Sequence, residues 1–370
     1  MSAEINRRTF MGLAATAAMA SVPLLGACRS GSAASGDDWE PPEAADYEEY
    51  IAKLHEAARG EGSVVWYTSA QTAAAEAFKA AFEEKFPDVA VLLFRATVPQ
   101  ILQKFTQEFS ARVHTADVLG LSSPGQSPQF HAEGWVTPYR LYEYDAFPPE
   151  ALGHPDLFEV IDKYTPFAPI VYNTQQLSRD EVPTSLLALS ELDPGRFDGR
   201  ITMADPRNYP FLLHYVHWVQ TAGRQMPQNL RRLNPVIASG GSALVQTIAS
   251  GEYWLCHTFN MQAFVSLKAT TDAPVDFVVP EEGIWMQPGT HLATANAPHP
   301  NAARLFLEYI FSEEGQGEWA APGFVPTRPG VPLPAGLEWV EEAKVAPIDF
   351  ASVFADIETY VNDATSDLGL

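Results

Sequence analysis

Ser63-Val64-Val65-Trp66-Tyr67-Thr68, Val89-Ala90-Val91-Leu92-Leu93-Phe94 and Ala116-Asp117-Val118-Leu119-Gly120-Leu121 are three short runs rich in β-branched, aromatic and aliphatic residues. After the first, Phe78, Phe82 and Phe86 recur every four residues; after the second, Ile101, Leu102, Phe105 and Phe109 make another stripe at helical spacing. Strands that are apolar throughout, separated by amphipathic helices, predict a parallel sheet covered on both faces. The fold class is therefore α/β, doubly wound.

Upstream, Tyr47, Ile51, Leu54 and Ala58 precede Gly60 at helical spacing, which predicts an amphipathic helix with a C-terminal stop. Downstream, a second α/β set is expected, with strands at 167–172, 200–204 and 253–257 and helices near 184–192, 210–223 and 242–250. Segments 275–279 and 291–294 and a helix over 300–311 read as further elements of the first kind. Pro322, Pro326, Pro329, Pro332 and Pro334 predict an extended segment, and Phe350, Val353, Phe354, Ile357 and Val361 a closing helix. No strict internal repeat is present.

At 370 residues and 46% apolar, the chain is long enough for two domains with their own cores and is not disordered as a whole. Its 23 Lys and Arg against 46 Asp and Glu give a formal charge of −23, the opposite of what a phosphate backbone requires, so nucleic acid is excluded as a partner. Cys28 and Cys256 cannot build a disulfide framework, and no Cys/His cluster has structural zinc spacing. Packing alone must hold the fold.

The first 28 residues differ from the rest. Asn6-Arg7-Arg8-Thr9-Phe10-Met11 leads into an Ala-rich apolar stretch over 12–25, and Leu25-Gly26-Ala27-Cys28 closes it, the pattern of an export leader. The apolar part is short of the ~20 residues that cross a bilayer as a stable helix. The arginine pair resembles a twin-arginine signal. The small residues before Cys28 resemble a bacterial lipobox, in which the cysteine is lipidated and becomes the new N-terminus. The alternative is a buried first helix with a chance arginine pair. Loss of Glu4, Arg7 and Arg8 with 1–27 leaves 21 basic and 45 acidic residues, a formal −24. Residues 29–46 have few large apolar groups and read as a flexible tether. The expected object is a soluble body in the periplasm or at the outer face of the cytoplasmic membrane, anchored through lipidated Cys28.

A family pattern runs through the body. Gly62-Ser63-Val64-Val65-Trp66-Tyr67-Thr68, Ala116-Asp117-Val118, Gly134-Trp135-Val136-Thr137-Pro138-Tyr139, Ile170-Val171-Tyr172-Asn173-Thr174, Gly199-Arg200-Ile201-Thr202-Met203-Ala204-Asp205-Pro206, Ala249-Ser250-Gly251-Glu252-Tyr253, Pro280-Glu281-Glu282-Gly283 and Ser312-Glu313-Glu314-Gly315-Gln316 fall in order over about 60–329. In this the chain resembles the extracellular solute-binding proteins of bacterial ABC importers, above all the branch of ferric-iron, phosphonate and sugar-phosphate binders. The resemblance implies the type II periplasmic-binding-protein-like fold, two lobes that are each a doubly wound sheet, joined by two hinge crossings. The first lobe would take 47–167 plus 275–330, the second 168–274, and 331–370 would be a C-terminal extended segment and helix. It further implies a monomer that closes on a small-molecule solute and presents the closed form to an ABC permease.

In open parallel sheets ligands sit outside the carboxyl ends of strands, where helix N-termini offer unpaired N–H groups. The loops so placed are 68–71, 95–98, 121–126, 172–174, 206–210 and 257–261, with Trp285 added by the family likeness. The candidate ligand contacts are therefore Ser69, Gln71, Arg95, Ser122, Ser123, Tyr172, Arg207, Asn208, Tyr209, His257, Asn260 and Trp285. Ferric binders of the family present adjacent tyrosines after the strand that ends here near Cys256, whereas this chain has Phe259-Asn260. A benzyl ring cannot ligate iron and an amide replaces a phenolate poorly. The expected ligand is thus a small organic solute, anionic and of carboxylate, phosphonate or phosphate type, with ferric iron as the alternative.

Each candidate has a plainer reading beside the functional one. Arg207 either holds an anion bidentately or pairs with Asp205, and Asn208 either meets the ligand or caps the helix begun at Pro210. Ser69, Ser122 and Ser123 either donate to the ligand or serve their turns. Arg95 either adds charge to the cleft or is solvated. His257 either reaches the ligand or is buried, and Trp66, Tyr67, Tyr209, Phe259 and Trp285 either wall the cleft or fill the core. His214 and His217 share a helix face but lack a third metal ligand at readable spacing, and Cys256 reads as a small buried hydrophobe. No metal or cofactor is expected.

Binding rather than turnover is expected. Gly120-Leu121-Ser122-Ser123-Pro124 lacks the second glycine of a nucleophile elbow, and no His-Glu-x-x-His, P-loop or dinucleotide fingerprint occurs. A lipid-anchored extracytoplasmic hydrolase built on two of the many carboxylates is the enzymatic alternative. A lipid-anchored interaction protein without a ligand would show a filled cleft between the lobes.

Overall fold

In a computed structural model of the chain, residues 39–122, 125–167, 169–209, 211–238 and 241–370 are described, the side chains of 241–243 excepted. The leader, Cys28 with its expected lipidation, and Ser123 lie outside the described residues. The strands in chain order are β1 (Ser63–Thr68), β2 (Ala90–Arg95), β3 (Val118–Leu121), β4 (Ile161–Phe167), β5 (Ile170–Asn173), β6 (Ile201–Ala204), β7 (Val236–Ala238), β8 (Leu255–Cys256), β9 (Val275–Val278), β10 (Trp285–Ala293) and β11 (Val325–Pro326). They form a six-stranded sheet, β11-β4-β10-β3-β1-β2, and a five-stranded sheet, β7-β6-β8-β5-β9.

The three runs that opened the sequence reading are the parallel part of the first sheet. Their helices, Thr72–Lys85 and Val98–Ser110, bury the expected stripes, with Phe78 stacked 4.7 Å from Trp319 and Phe82 packed edge-on to Phe306. β6, β7 and β8 are parallel in the second sheet. Antiparallel pairings extend each sheet: β10, β4 and β11 in the first, β5 and β9 in the second.

Three expectations are corrected. The strand expected over 167–172 is two strands: Phe167 ends β4 in the first sheet and Ile170 opens β5 in the second, so this is where the chain first crosses. Residues 275–278, expected in the first lobe, form the edge strand β9 of the second sheet, paired with β5 from Ile170↔Val278 to Asn173↔Val275. The return crossing therefore lies at 279–284, ahead of β10. The closing helix is two, Phe350–Ala355 and Ile357–Leu368.

β4 had no counterpart in the sequence reading, because Asp162 and Lys163 interrupt its apolar pattern. Both are buried and ion-paired, with His291 Nδ1 of β10 at 3.1 Å from Asp162 and the Lys163 ammonium 3.8 Å above the Trp319 ring. Burial opposes the charge on Asp162, but Lys163 and His291 outweigh it and hold the carboxyl down to about 2. A strand that buries an acid beside a base carries no hydrophobic signature.

The two ends of the described body are tied down. Residues 39–46 fall within the expected tether, yet Trp39 donates to Asn301 Oδ1 at 3.0 Å, lies 4.1 Å from the Arg304 guanidinium and meets Tyr139 edge-on. The C-terminal residues leave β11 and return to the second lobe. There Ala364 and Leu368 join the core that holds Leu212, Trp218 and Leu230. No helix among the described residues is long and apolar enough to cross a membrane.

Candidate functional site

The carboxyl ends of β1 and β2 face the helix that follows β8, and a cavity of about 550 Å³ lies between them. From the first lobe it is lined by Gln71, by Thr72 and Ala73 at the start of helix Thr72–Lys85, and by Arg95 at the end of β2. From the second lobe come Asn260, Ser266 and Thr270 of the cap and one face of helix Met261–Thr270, with Gln246 from helix Gly241–Ala249. No carboxylate lines it.

Its electrostatics follow from how the first-lobe helix begins. Gln71 is the N-cap but makes no capping bond, and no acidic residue stands in the first turn. The positive end of the helix dipole and its unpaired first-turn amides therefore open on the cavity. Arg95 donates its Nε to Ala70 O, at 3.1 Å, and no carboxylate among the described residues pairs with it. A guanidinium fork and a helix N-terminus with no counter-charge make a place for a carboxylate or phosphate oxygen.

Across the cavity, Gln71 Nε2 donates to Gln262 Oε1 at 2.6 Å. Gln262, on the second lobe and almost fully buried, in turn donates its own Nε2 to Pro322 O of the first lobe at 2.9 Å. One amide side chain thus bridges the lobes with both of its ends.

The remaining candidates are placed as follows. Ser69 Oγ accepts from Ser122 N at 2.8 Å, and Ser122 O accepts from Gln287 Nε2 at 2.9 Å, so these serines knit the β1 and β3 loops together. Asn260 reaches the cavity, but its Oδ1 accepts from the amides of Gln262 and Ala263 and caps its helix. Arg207 is exposed and holds Asp205 with a two-pronged pair at 2.8 Å per arm. Asn208 is exposed in the same turn. The structure puts the cap of helix Leu212–Ala222 at Phe211 rather than at Asn208.

Tyr172, His257, Trp285 and Tyr209 do not line the cavity. Tyr172 is buried in the second-lobe core, its hydroxyl 3.3 Å from Asp276. His257 is fully buried 4.8 Å from the Trp218 ring, and burial drives it down to about 3. Trp285 stacks on Phe167 at 4.6 Å and 7° and donates to His214 Nδ1 at 3.3 Å, which makes it the core of the hinge. Tyr209 stands half-buried against Phe354. Cys256 is a buried thiol pushed up to about 11 by its surroundings, as a small hydrophobe should be.

At the position where ferric binders carry tyrosines, Phe259 is buried and Asn260 is spent on its cap, so no phenolate is offered. Among the described residues no group of three or more His, Cys, Asp or Glu is placed to hold a metal ion. The sequence reading missed Thr72, Ala73, Gln246, Ser266 and Thr270. The polar pair at i, i+4 on helix Met261–Thr270 was the available signal.

A family model described as bacterial extracellular solute-binding protein matches residues 121–353. No curated protein shows significant sequence similarity. The fold is similar to the substrate-binding protein of an ABC transporter from Agrobacterium tumefaciens, with 19% identity, a TM-score of 0.72, and 83% of this chain and 94% of that one covered. It is also similar to iron-bound HitA from Pseudomonas aeruginosa, with 20% identity, a TM-score of 0.68, and 82% and 99% covered. AfuA from Actinobacillus pleuropneumoniae, solved with fructose-6-phosphate, matches at 21% identity and a TM-score of 0.68, with 84% and 99% covered. Two lobes, a cavity between them and a family match over most of the body converge: the chain belongs to the bacterial extracellular solute-binding proteins.

Proposed function

We propose that the solute is a small organic anion whose carboxylate or phosphate lies between the Arg95 guanidinium and the N-terminus of helix Thr72–Lys85. The observation that carries this is a positive wall without a counter-charge: Arg95 and an uncapped, acid-free helix start on a cavity that no carboxylate lines. That one structural neighbour holds a sugar phosphate fits the same chemistry. The lack of any phenolate at 259–260 speaks against ferric iron. The protein releases its solute unaltered, works as a monomer, hands the closed form to its permease and stays at the membrane through lipidated Cys28.

Closure follows from contacts on both walls. A solute touching Arg95 on one lobe and Ser266 or Thr270 on the other favours the closed state by its differential affinity for it. Native mass spectrometry of protein purified without denaturation should find an anionic compound retained. Arg95→Gln should weaken it by more than about tenfold, roughly 1.4 kcal/mol, in calorimetry. Retention of a cation, or unchanged affinity in Arg95→Gln, sinks the anion reading.

A further inference from the structure

The space between the lobes is not all open. The loop after β3 and the loop after β6 stand at carboxyl strand ends like those around the cavity, yet the chain's own C-terminal segment lies between them. A Cβ added at Gly125, in the β3 loop, would sit 2.4 Å from Phe350 O and 2.8 Å from Ala351 N, so the helix Phe350–Ala355 presses backbone to backbone on the first lobe. From the β6 loop of the second lobe, Tyr209 meets Phe354 edge-on at 5.9 Å. Beneath, Ile348 and Val353 pack on Phe167 and Trp285, the aromatic pair of the hinge.

The segment is held at both ends. Ahead of it, Ile284 N donates to Lys344 O at 2.9 Å and Ala346 N to Ile284 O at 2.7 Å, so it is laced to the return crossing. Behind it, Asp367 accepts from Tyr215 at 2.7 Å, Arg224 at 2.9 Å and Gln228 at 3.0 Å, fastening the last helix to the second lobe. A short stretch anchored on either side cannot drift out without breaking one of these sets.

We propose that residues 348–355 are a built-in wall of the solute cleft, filling the part between the β3 and β6 loops and confining the solute to the cavity beside Arg95. The proposal rests on reading the inter-lobe space as the cleft, and it adds a limit of size to the limit of charge. Residues 348–355 do not line the cavity itself, so the limit acts on a solute that reaches from it toward the β3 and β6 loops, which must displace Phe350 and Phe354.

Thiol accessibility tests the wall without any solute. Tyr209→Cys places a thiol beneath Phe354, and Ser266→Cys places one on the open cavity. Each is labelled in the full chain with iodoacetamide, and rates are read peptide by peptide by mass spectrometry, so Cys28 and Cys256 do not interfere. Tyr209→Cys should react at least tenfold more slowly than Ser266→Cys. Adding Phe350→Ala and Phe354→Ala should bring the two within about threefold while Ser266→Cys keeps its rate; Phe354→Ala alone should give part of that gain. The proposal is overturned if the two thiols react alike in the native background, or if Tyr209→Cys stays slow in the double variant. It is equally overturned if both rates rise together, since the rings would then hold the fold rather than fill the cleft. Because no solute is involved, a failed anion titration beside the expected labelling contrast removes the anion reading alone.

Discussion

Glu308 shows how burial changes a single residue. Its Oε1 accepts from the Tyr139 hydroxyl at 2.7 Å and from Tyr142 N at 2.9 Å, and burial, despite these bonds, lifts the carboxyl to about 7. The folded chain therefore keeps a proton that the unfolded chain, with an ordinary value of 4.5, has released. Stability from this group is fully present below that value and is lost as pH rises to about 7. Glu308→Gln keeps the acceptor oxygen and removes the ionisation. The melting temperature of the variant relative to the native chain should rise between pH 5 and pH 8; a constant difference would show that Glu308 titrates normally. Arg207 belongs to the same scale. With its guanidinium spent on Asp205, Arg207→Ala should leave solute affinity within about twofold, measured beside Arg95→Gln. Sequence offered both readings of Arg207, and the partner two residues away was legible. Nothing in the sequence told Arg95, left unpaired, from Arg207, because that difference arises from what the fold brings near each.

Among elements, those driven by apolar periodicity were legible and those driven by pairing were not. β1, β2 and β3 and helix Pro300–Phe311 lie where their stripes predict, because burying such stripes is what forms them. β4 hides behind Asp162 and Lys163, and β9 was given to the wrong lobe because strand propensity carries no information about which sheet edge accepts a strand. The return crossing makes a testable element. Gly283 has φ +95°, and a Cβ there would lie 2.2 Å from Lys344 O. Gly283→Ala should therefore both strain the turn and push off the segment laced to Ile284, lowering stability by more than about 2 kcal/mol. The denaturant midpoint should fall accordingly; a fall within about 0.5 kcal/mol would mean that the turn relaxes without harm.

For the whole molecule, the two-lobed plan was legible from the order of family fragments, while the site was legible only in part. Gln71, Arg95 and Asn260 came from the rule that ligands sit at carboxyl strand ends. The rule could not foresee that a C-terminal helix would take the neighbouring loops out of reach. The bridge made by Gln262 sets a prediction at this scale. Gln262→Ala removes both cross-lobe bonds, which are worth about 1 kcal/mol each. The solute-free protein should open, seen as a larger radius of gyration by small-angle X-ray scattering, and its apparent affinity for the retained solute should drop by about three- to tenfold. Scattering identical to that of the native chain would place the control of closure elsewhere, in the hinge aromatics or the C-terminal wall.

Trp39 gives the molecule a mechanical polarity. Its indole is clamped by Arg304 and Asn301, and the helix Tyr47–Arg59 that follows lies along helix Pro300–Phe311. Any pull arriving along the backbone from upstream of Trp39 is thus borne first by the lobe that holds Asn301 and Arg304.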